Sequence, residues 1–409
     1  MKTSIFILLG LNNFLDFIIK EAQNVDRIHI ITPVGSLEYT EDYLENLLTV
    51  ETEVTISTNV KIKKLEELIS CIGSKATIEH IFAFEEYCLL SAAYLRQHFK
   101  IDGKKPEDVI TFRDKKLMID VLENSGINSV KIPYTEDYID YSQVVRLLKK
   151  FKKVIAKRKD GMGSKDMAIF TSDLSDLEVK ELTENIRKDK SYIIQEFIEG
   201  QVFHYDTFVI NKTPIINNLM MYQENQFEFK SNKSLSAVSV SDSQLRDKLI
   251  DAAHEVIACY GMDKVTLHLE LINSVNGIYF CEIGVRPGGA GVVPVIESLF
   301  GTNLFEVEYN LQSNHEELIP NEIISQVNQG GWTIVYPKKG KVTFVSDVDE
   351  ILKLDGVKSA DVYIKAGDSL GLGKHCATKV FQSVYTAENI DDVLSLKDKI
   401  LNEFKFETE

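Results

Sequence analysis

Two apolar-alternating runs separated by a short polar break constrain the fold of this chain more than any other feature. Val265–Ile272 and Gly277–Ile283 each read as a strand, and Asn273–Asn276 reads as the turn that joins them into an antiparallel hairpin. In Leu267-His268-Leu269-Glu270-Leu271 the leucines take one face, and His268 and Glu270 take the other. Tyr279-Phe280-Cys281-Glu282-Ile283 keeps the same phase. A register centred on Asn276 puts Glu270 directly opposite Glu282. Like charges facing each other across a ladder are unfavourable unless something neutralises them. A hard divalent cation would do so, and Mg2+ takes carboxylate oxygens together with substrate phosphates. Spacing alone leaves a second reading open, in which both glutamates lie solvated on an exposed sheet face.

Upstream of this hairpin the pattern changes. The first hundred residues alternate short strands (Ser4–Leu9, Arg27–Thr32, Val54–Thr58, Ile78–Phe82) with helical segments (Tyr39–Leu48, Leu65–Cys71, Glu85–His98). Such alternation predicts a parallel sheet with helices on both faces. Gly10 closes the first strand without a G-x-G-x-x-G run, so this α/β shape carries no dinucleotide fingerprint. Gly103 and Pro106 mark a boundary. Beyond it the pattern predicts a helix over Asp114–Asn124, a strand over Val154–Arg158 and an exposed helix over Asp176–Lys188. Strands at Tyr192–Phe197 and Val202–Ile210 and helices at Leu245–Tyr260 and Pro294–Phe300 follow. After about Glu317 short strands with Gly and Asp turns return. A length of 409 residues suits about two to three domains.

Composition narrows the function classes. The chain has 46 basic and 62 acidic residues, a net charge of −16, which opposes binding to a polyphosphate backbone. The five cysteines, Cys71, Cys88, Cys259, Cys281 and Cys376, are widely spaced and form no C-x-x-C. That excludes a disulfide framework or a zinc ribbon and suits a reducing compartment. The apolar run after Lys2 is too short for a signal peptide and reads as a first strand, and no run approaches the roughly 18 apolar residues of a membrane span. A cytoplasmic protein without a membrane or nucleic-acid partner is the expectation.

Several other constellations could carry chemistry, although each has an ordinary reading when taken alone. Arg286-Pro287-Gly288-Gly289 combines a forked cation with glycines that let backbone N–H groups approach an anion. Lys157 lies on a strand that enters the loop Asp160-Gly161-Met162-Gly163-Ser164-Lys165, which matches no Walker motif. Lys115 opens a helix, where a surface lysine is the default. Gln195-Glu196-Phe197-Ile198-Glu199-Gly200 is an apolar strand end with an acidic tail, and His204 and Asp206 share a strand face. His375-Cys376 reads as structural, and no G-x-S-x-G elbow supports hydrolase chemistry.

The order of these features resembles the ATP-grasp superfamily. A helix lysine, a strand lysine with a Gly/Ser loop, an acidic hinge, and H-L-E followed by E-I-G-V-R-P-G-G appear in that sequence, and the resemblance covers about Val109–Asn310. It implies a three-lobed α/β fold, α+β in parts: an N-terminal parallel α/β domain over 1–106, a small lid lobe over 107–192 and an antiparallel-sheet lobe over 193–409. The last of these would carry a strand-rich terminal subdomain from about 318. By the same resemblance, Lys115 and Lys157 would contact ATP phosphates under a lid of Gly161, Gly163 and Ser164. Gln195, Glu196, Phe197 and Ile198 would form the adenine hinge. His204, and less directly Asp206, would lie near the ribose. Glu270 and Glu282 would hold Mg2+, with Mn2+ as a substitute, and Arg286 with Lys157 would act at the transferred phosphoryl group.

Three positions depart from the family pattern. Arg158 stands where proline usually follows the strand lysine, and Val202 stands where a ribose-binding glutamate is frequent. Gly284 stands where an asparagine often adds a metal ligand. A small residue at the last place is similar to the L-amino acid ligase branch, and Gly331–Phe404 resembles the terminal segment of both the amino-acid ligase and the carboxylase-like branches. The implied activity is therefore an ADP-forming carboxylate–amine ligase acting on small molecules, amino acids above all, through an acyl phosphate. A homodimer is the base-rate expectation for its assembly. The alternatives are a bicarbonate-using carboxylase and a nucleotide-binding protein without catalysis. Retention of Lys115, Lys157, Glu270, Glu282 and Arg286 disfavours the second of these.

Overall fold

A computed structural model describes residues 4–9, 27–33, 53–60, 64–137, 139–164, 167–187, 191–225, 233–373 and 378–409, apart from 74–76. The expected helix Tyr39–Leu48, Gly10, Lys165 and His375-Cys376 lie outside the described residues. The chain divides into two compact units, Met1–Arg113 with Phe305–Pro320, and Asp114–Leu304 with Asn321–Glu409.

The first unit holds strands β1 (Ser4–Leu9), β2 (Arg27–Pro33), β3 (Glu53–Val60) and β4 (Thr77–Ala83), with helices α1 (Leu65–Gly73) and α2 (Glu86–Phe99). The sheet order is β3-β2-β1-β4 and every pairing is parallel, as the strand–helix alternation predicts. Arg96 of α2 is buried and donates from Nε to the Ile81 carbonyl at 2.9 Å. Gln312, on the helix Leu304–Gln312, accepts from Arg96 Nη2 at 2.7 Å and from the Ala83 backbone N–H at 3.0 Å. A guanidinium can be buried here because its donors find fixed acceptors.

The second unit is built on two larger antiparallel sheets and a smaller one of three strands. Helix α3 (Lys115–Ser125) starts where Asp114 caps the Lys116 and Leu117 N–H groups, and stops at Gly126 in the left-handed region, φ 75°. Strands β5 (Thr135–Asp137), β6 (Lys153–Arg158), β7 (Met167–Thr171) and β8 (Tyr192–Glu196) form a four-stranded sheet in the order β5-β8-β6-β7. Helices α4 (Tyr141–Phe151) and α5 (Asp176–Arg187) cover it through a core that includes Val144, Leu147, Val154, Phe170 and Ile194. The larger sheet contains β9 (Gln201–Ile210), the two-residue β10 (Thr213–Pro214), β11 (Asn218–Tyr222), β12 (Ser234–Ser239), β13 (Val265–Ser274) and β14 (Gly277–Gly284). It continues through β15 (Gln329–Val335), β17 (Val357–Val362) and β19 (Phe381–Ala387). Its order is β14-β13-β9-β11-β12-β15-β19-β17, with β10 on β9, so the terminal segment extends the same sheet. Strand β16 (Gly340–Val345) pairs instead with β18 (Ser369–Leu370) and β20 (Phe406–Thr408). Helices α6 (Ser243–Cys259), α7 (Val292–Phe300) and α8 (Ile390–Glu403) also belong to this unit, and α8 packs Val393, Leu396 and Ile400 into a core with Phe381 and Tyr385.

The hairpin differs from its expected register in one informative way. Its turn is the two-residue Val275-Asn276, because the ladder runs on to Ser274 opposite Gly277. That register places Leu271 opposite Phe280, which alone would leave Glu270 facing Cys281. A bulge between Glu270 and Leu271 adds one residue on β14, and Glu270 then pairs with Glu282. The predicted pair therefore forms through a tighter turn followed by a bulge.

Gly200 joins the two antiparallel sheets where β9 starts. A Cβ there would stand 2.5 Å from the Asn273 carbonyl oxygen and 2.8 Å from Ile272 Cγ2. Gly200→Ala should therefore cost about 1–3 kcal/mol, since the obstacle includes backbone that cannot rotate away. A lowered thermal unfolding midpoint is the expected result, and an unchanged midpoint would show that the turn has room to relax.

Candidate active site

Two cross-strand rows on one face of the larger sheet build the site. The first row is Asn218, Asp206, His268 and Gly284, on β11, β9, β13 and β14. The second is Met220, His204, Glu270 and Glu282 on the same four strands. Period-2 geometry places both rows on a common face, so the acids and imidazoles meet by register alone. Glu270 keeps 10% of its side chain exposed and Glu282 keeps 30%. The Tyr222 hydroxyl donates to Glu270 Oε1 at 3.2 Å. Two hard oxygen donors that face each other, one of them reaching solvent, suit Mg2+ or Mn2+.

Cationic groups approach from the other elements. Lys115, buried at the start of α3, places Nζ 3.1 Å from Glu282 Oε2 and donates to the Gly161 carbonyl at 2.6 Å. The Lys115 backbone N–H donates to the Lys159 carbonyl at 3.0 Å, which ties the loop base to α3. Lys157 is buried on β6, paired with Ile193 and Met167. Burial pushes the Cys281 thiol up to about 12, with Glu270 and Glu282 adding to the rise and Lys157 and Lys115 opposing it. Four of the five expected charges, all but Arg286, therefore act on the Cys281 thiol. Gly163 and Ser164 take positive φ, 59° and 57°, at the tip that follows Gly161. Arg286 curls onto its own loop, donating from Nη1 to the Pro287 carbonyl at 2.8 Å.

The hinge segment is held by its neighbours on both sides. Gln195 is buried and donates to Thr135 Oγ1 at 2.9 Å. The Glu196 N–H donates to the Tyr134 carbonyl at 2.8 Å and the Phe197 N–H to the Lys153 carbonyl at 3.3 Å. Lys153 Nζ sits 3.9 Å over the Phe197 ring, while Ile198 is partly exposed. His204, the residue expected near a ribose, is buried on β9. Its ring has 0% exposure, with Nδ1 2.5 Å from Asp206 Oδ2, and its Nε2 has no hydrogen-bond partner among the described residues.

Sequence comparison agrees with this geometry. Residues 112–290 match the family described as the ATP-grasp domain. Over 388 residues the chain is 22% identical to the L-arginine-specific L-amino acid ligase of Bacillus subtilis, covering 92% of this chain and 90% of that protein. The L-amino acid ligase structure from Bacillus licheniformis superposes with a TM-score of 0.74 at 15% identity, covering 100% of both chains. The biotin carboxylase domain of Hydrogenobacter thermophilus 2-oxoglutarate carboxylase, solved with MgADP and bicarbonate, superposes with a TM-score of 0.73. Its identity is 13%, and the match covers 100% of this chain and 91% of that one. These likenesses establish the fold.

Sequence reading missed Asn218, Tyr222 and Trp332, and did not pair Asp206 with His268. Asp206 has 0% exposure and lies between two imidazoles, with His268 Nδ1 2.6 Å from Oδ1. Asn218 donates to Asp206 Oδ2 at 3.3 Å. Trp332 of β15 is buried 6.1 Å from His204 and 6.0 Å from Tyr222, ring centre to ring centre. The alternation around His268 shows that it shares a face with Glu270. No local signal shows that β9 and β11 lie beside it.

The electrostatics of this cluster follow from its pairing. Burial alone would raise the Asp206 carboxyl, but the facing imidazoles of His204 and His268 hold it well below the usual carboxylate range. Burial alone would lower His268, but the charge and hydrogen bond of Asp206, then Glu270, lift it from 6.5 to about 10. A raised folded-state value means the imidazolium stabilises the fold in full below about pH 6.5 and loses that contribution as pH climbs towards 10. Nitrogen-15 NMR should find the His268 ring doubly protonated at pH 8 and less basic in Asp206→Asn. A neutral ring at pH 8 in the unaltered protein would contradict this assignment.

Proposed function

We propose that this protein is an ATP-dependent carboxylate–amine ligase that forms an amide, most simply a dipeptide, and releases ADP and phosphate. One observation carries the reading: Glu270 and Glu282 are direct cross-strand partners, with Lys115 Nζ 3.1 Å from Glu282. The relatedness to amino acid ligases over nearly the whole chain supports the choice of amino acids as substrates. Cys88, Cys259 and Cys281 are free, which agrees with a cytoplasmic setting.

On this reading the chain works by charge placement. A carboxylate is a poor electrophile, so one of its oxygens first attacks the γ-phosphorus of ATP and yields an acyl phosphate and ADP. Lys115 and Lys157 offset the charge carried by the phosphate oxygens, and Arg286 offsets the charge that develops on the transferred group. A bound Mg2+, held by Glu270 and Glu282, supplies electrostatic neutralisation of the phosphate oxygens. An amine then attacks the acyl carbon, an amide forms, and phosphate leaves with one carboxylate oxygen. Gly161, Gly163 and Ser164 would cover the phosphates and keep water from the intermediate. Gln195 to Ile198 would read the adenine through backbone groups. Among the described residues no helix is long and apolar enough to cross a membrane.

Incubation with Mg2+-ATP and pooled amino acids tests this reading, with nucleotides separated and new amides sought by mass spectrometry. ADP formation that rises with added amino acids is the expected result. Glu282→Gln should remain folded and lose turnover by at least about a hundredfold, because a carboxylate ligand becomes a neutral amide. AMP as the main product would overturn the acyl-phosphate mechanism.

A further inference from the structure

The buried Asp206–His268 pair has no part in the reaction as described, although it touches that site. Asp206 is an anion with no exposed surface, and it carries an imidazole nitrogen on each oxygen. Such a group is costly to bury, and replacing it with apolar residues would often stabilise a fold. Its retention calls for a role beyond packing.

The geometry indicates what that role is. His268 has one ring nitrogen 2.6 Å from Asp206 Oδ1, and its other, Nε2, stands 3.7 Å from Glu270 Oε1. Asp206 therefore fixes the rotation of the His268 ring, and the fixed ring turns Nε2 towards Glu270. The Tyr222 hydroxyl donates to the same Glu270 oxygen, Oε1, at 3.2 Å. Gly284, directly across from His268, has no side chain to compete for the ring. Asp206 also borders the loop of Arg286, since a Cβ on Gly288 would stand 2.7 Å from Asp206 Oδ1. A single buried carboxylate thus bears on both the Glu270 row and the Arg-Pro-Gly-Gly loop.

We infer that Asp206 and His268 are positioning residues that hold Glu270 as a metal ligand against the repulsion of Glu282. The inference rests on the proposed metal role of Glu270 and Glu282. It treats the dyad as the outer partner of a ligating carboxylate, a kind of group whose loss typically weakens metal binding by about 10- to 100-fold.

The test is Mn2+ affinity of the ADP-bound protein, read from the electron paramagnetic resonance signal of free Mn2+. The variants are His268→Gln, Asp206→Asn and Glu282→Gln. Calorimetry of ADP binding in EDTA runs alongside as a readout that needs no metal. Asp206→Asn preserves side-chain volume, so it serves should His268→Gln fail to fold. The expected result is about a tenfold or greater loss of Mn2+ affinity in His268→Gln or Asp206→Asn, with metal-free ADP affinity unchanged. Mn2+ affinity within twofold of the unaltered protein in these variants, alongside a loss in Glu282→Gln, would overturn the positioning role alone. An equal loss of metal-free ADP affinity would reduce the dyad to a structural element and also overturn it. Undiminished Mn2+ affinity in Glu282→Gln would remove the metal reading on which the inference stands.

Discussion

Two carboxylates set directly opposite each other on a largely buried sheet are the constraint around which the second unit is arranged. At the close approach of paired strands, Glu270 and Glu282 repel unless positive charge lies within a few ångströms. Lys115 supplies it from α3 and His268 supplies it from the adjacent row. The isolated bridge between Lys131 and Tyr279 ties the free edge of β14 through two backbone hydrogen bonds. A cation held between the two acids, as proposed, would use this stored repulsion as binding energy.

The groups around the pair constrain one another. Lys115 contacts Glu282 and the Gly161 carbonyl with one ammonium, so the loop after β6 and the acid on β14 share a donor. Close packing continues behind the Arg286 loop. A Cβ on Gly291 would fall 2.3 Å from Trp332 Cβ, so the start of α7 lies directly on β15. Trp332 in turn borders His204, which borders Asp206. The proposed metal ligands and the proposed phosphoryl-stabilising arginine are thus braced by one continuous buried cluster, which favours preorganisation over adjustment on binding.

Much of this was legible in the sequence because it depends on short periods. Alternation alone gave the parallel pairing of β1 to β4 and placed His268 with Glu270 on one face. The Glu270–Glu282 pairing was reached although its turn is shorter than the pattern suggested, because the bulge on β14 compensates for the missing residues. A bulge leaves no mark in a period-2 pattern, so it could not be foreseen. The surroundings of His204 were not legible for a different reason. The strand pattern shows that His204 and Asp206 share a face but not that a second histidine, on β13, closes over that face. Tyr222 and Trp332 lie on β11 and β15, and only the order of strands in the sheet brings them to the site. Local pattern therefore reveals which groups share a strand face. Long-range topology determines which of those faces stay open.

The central claim is that a carboxylate is activated by phosphorylation before an amine attacks. The most direct measurement supplies amino acids carrying oxygen-18 in the carboxylate, with Mg2+-ATP, and determines the isotope in each product. The account predicts inorganic phosphate bearing one oxygen-18 for each amide formed, with unlabelled ADP. Oxygen-18 in AMP, or amide formation with unlabelled phosphate, would contradict it.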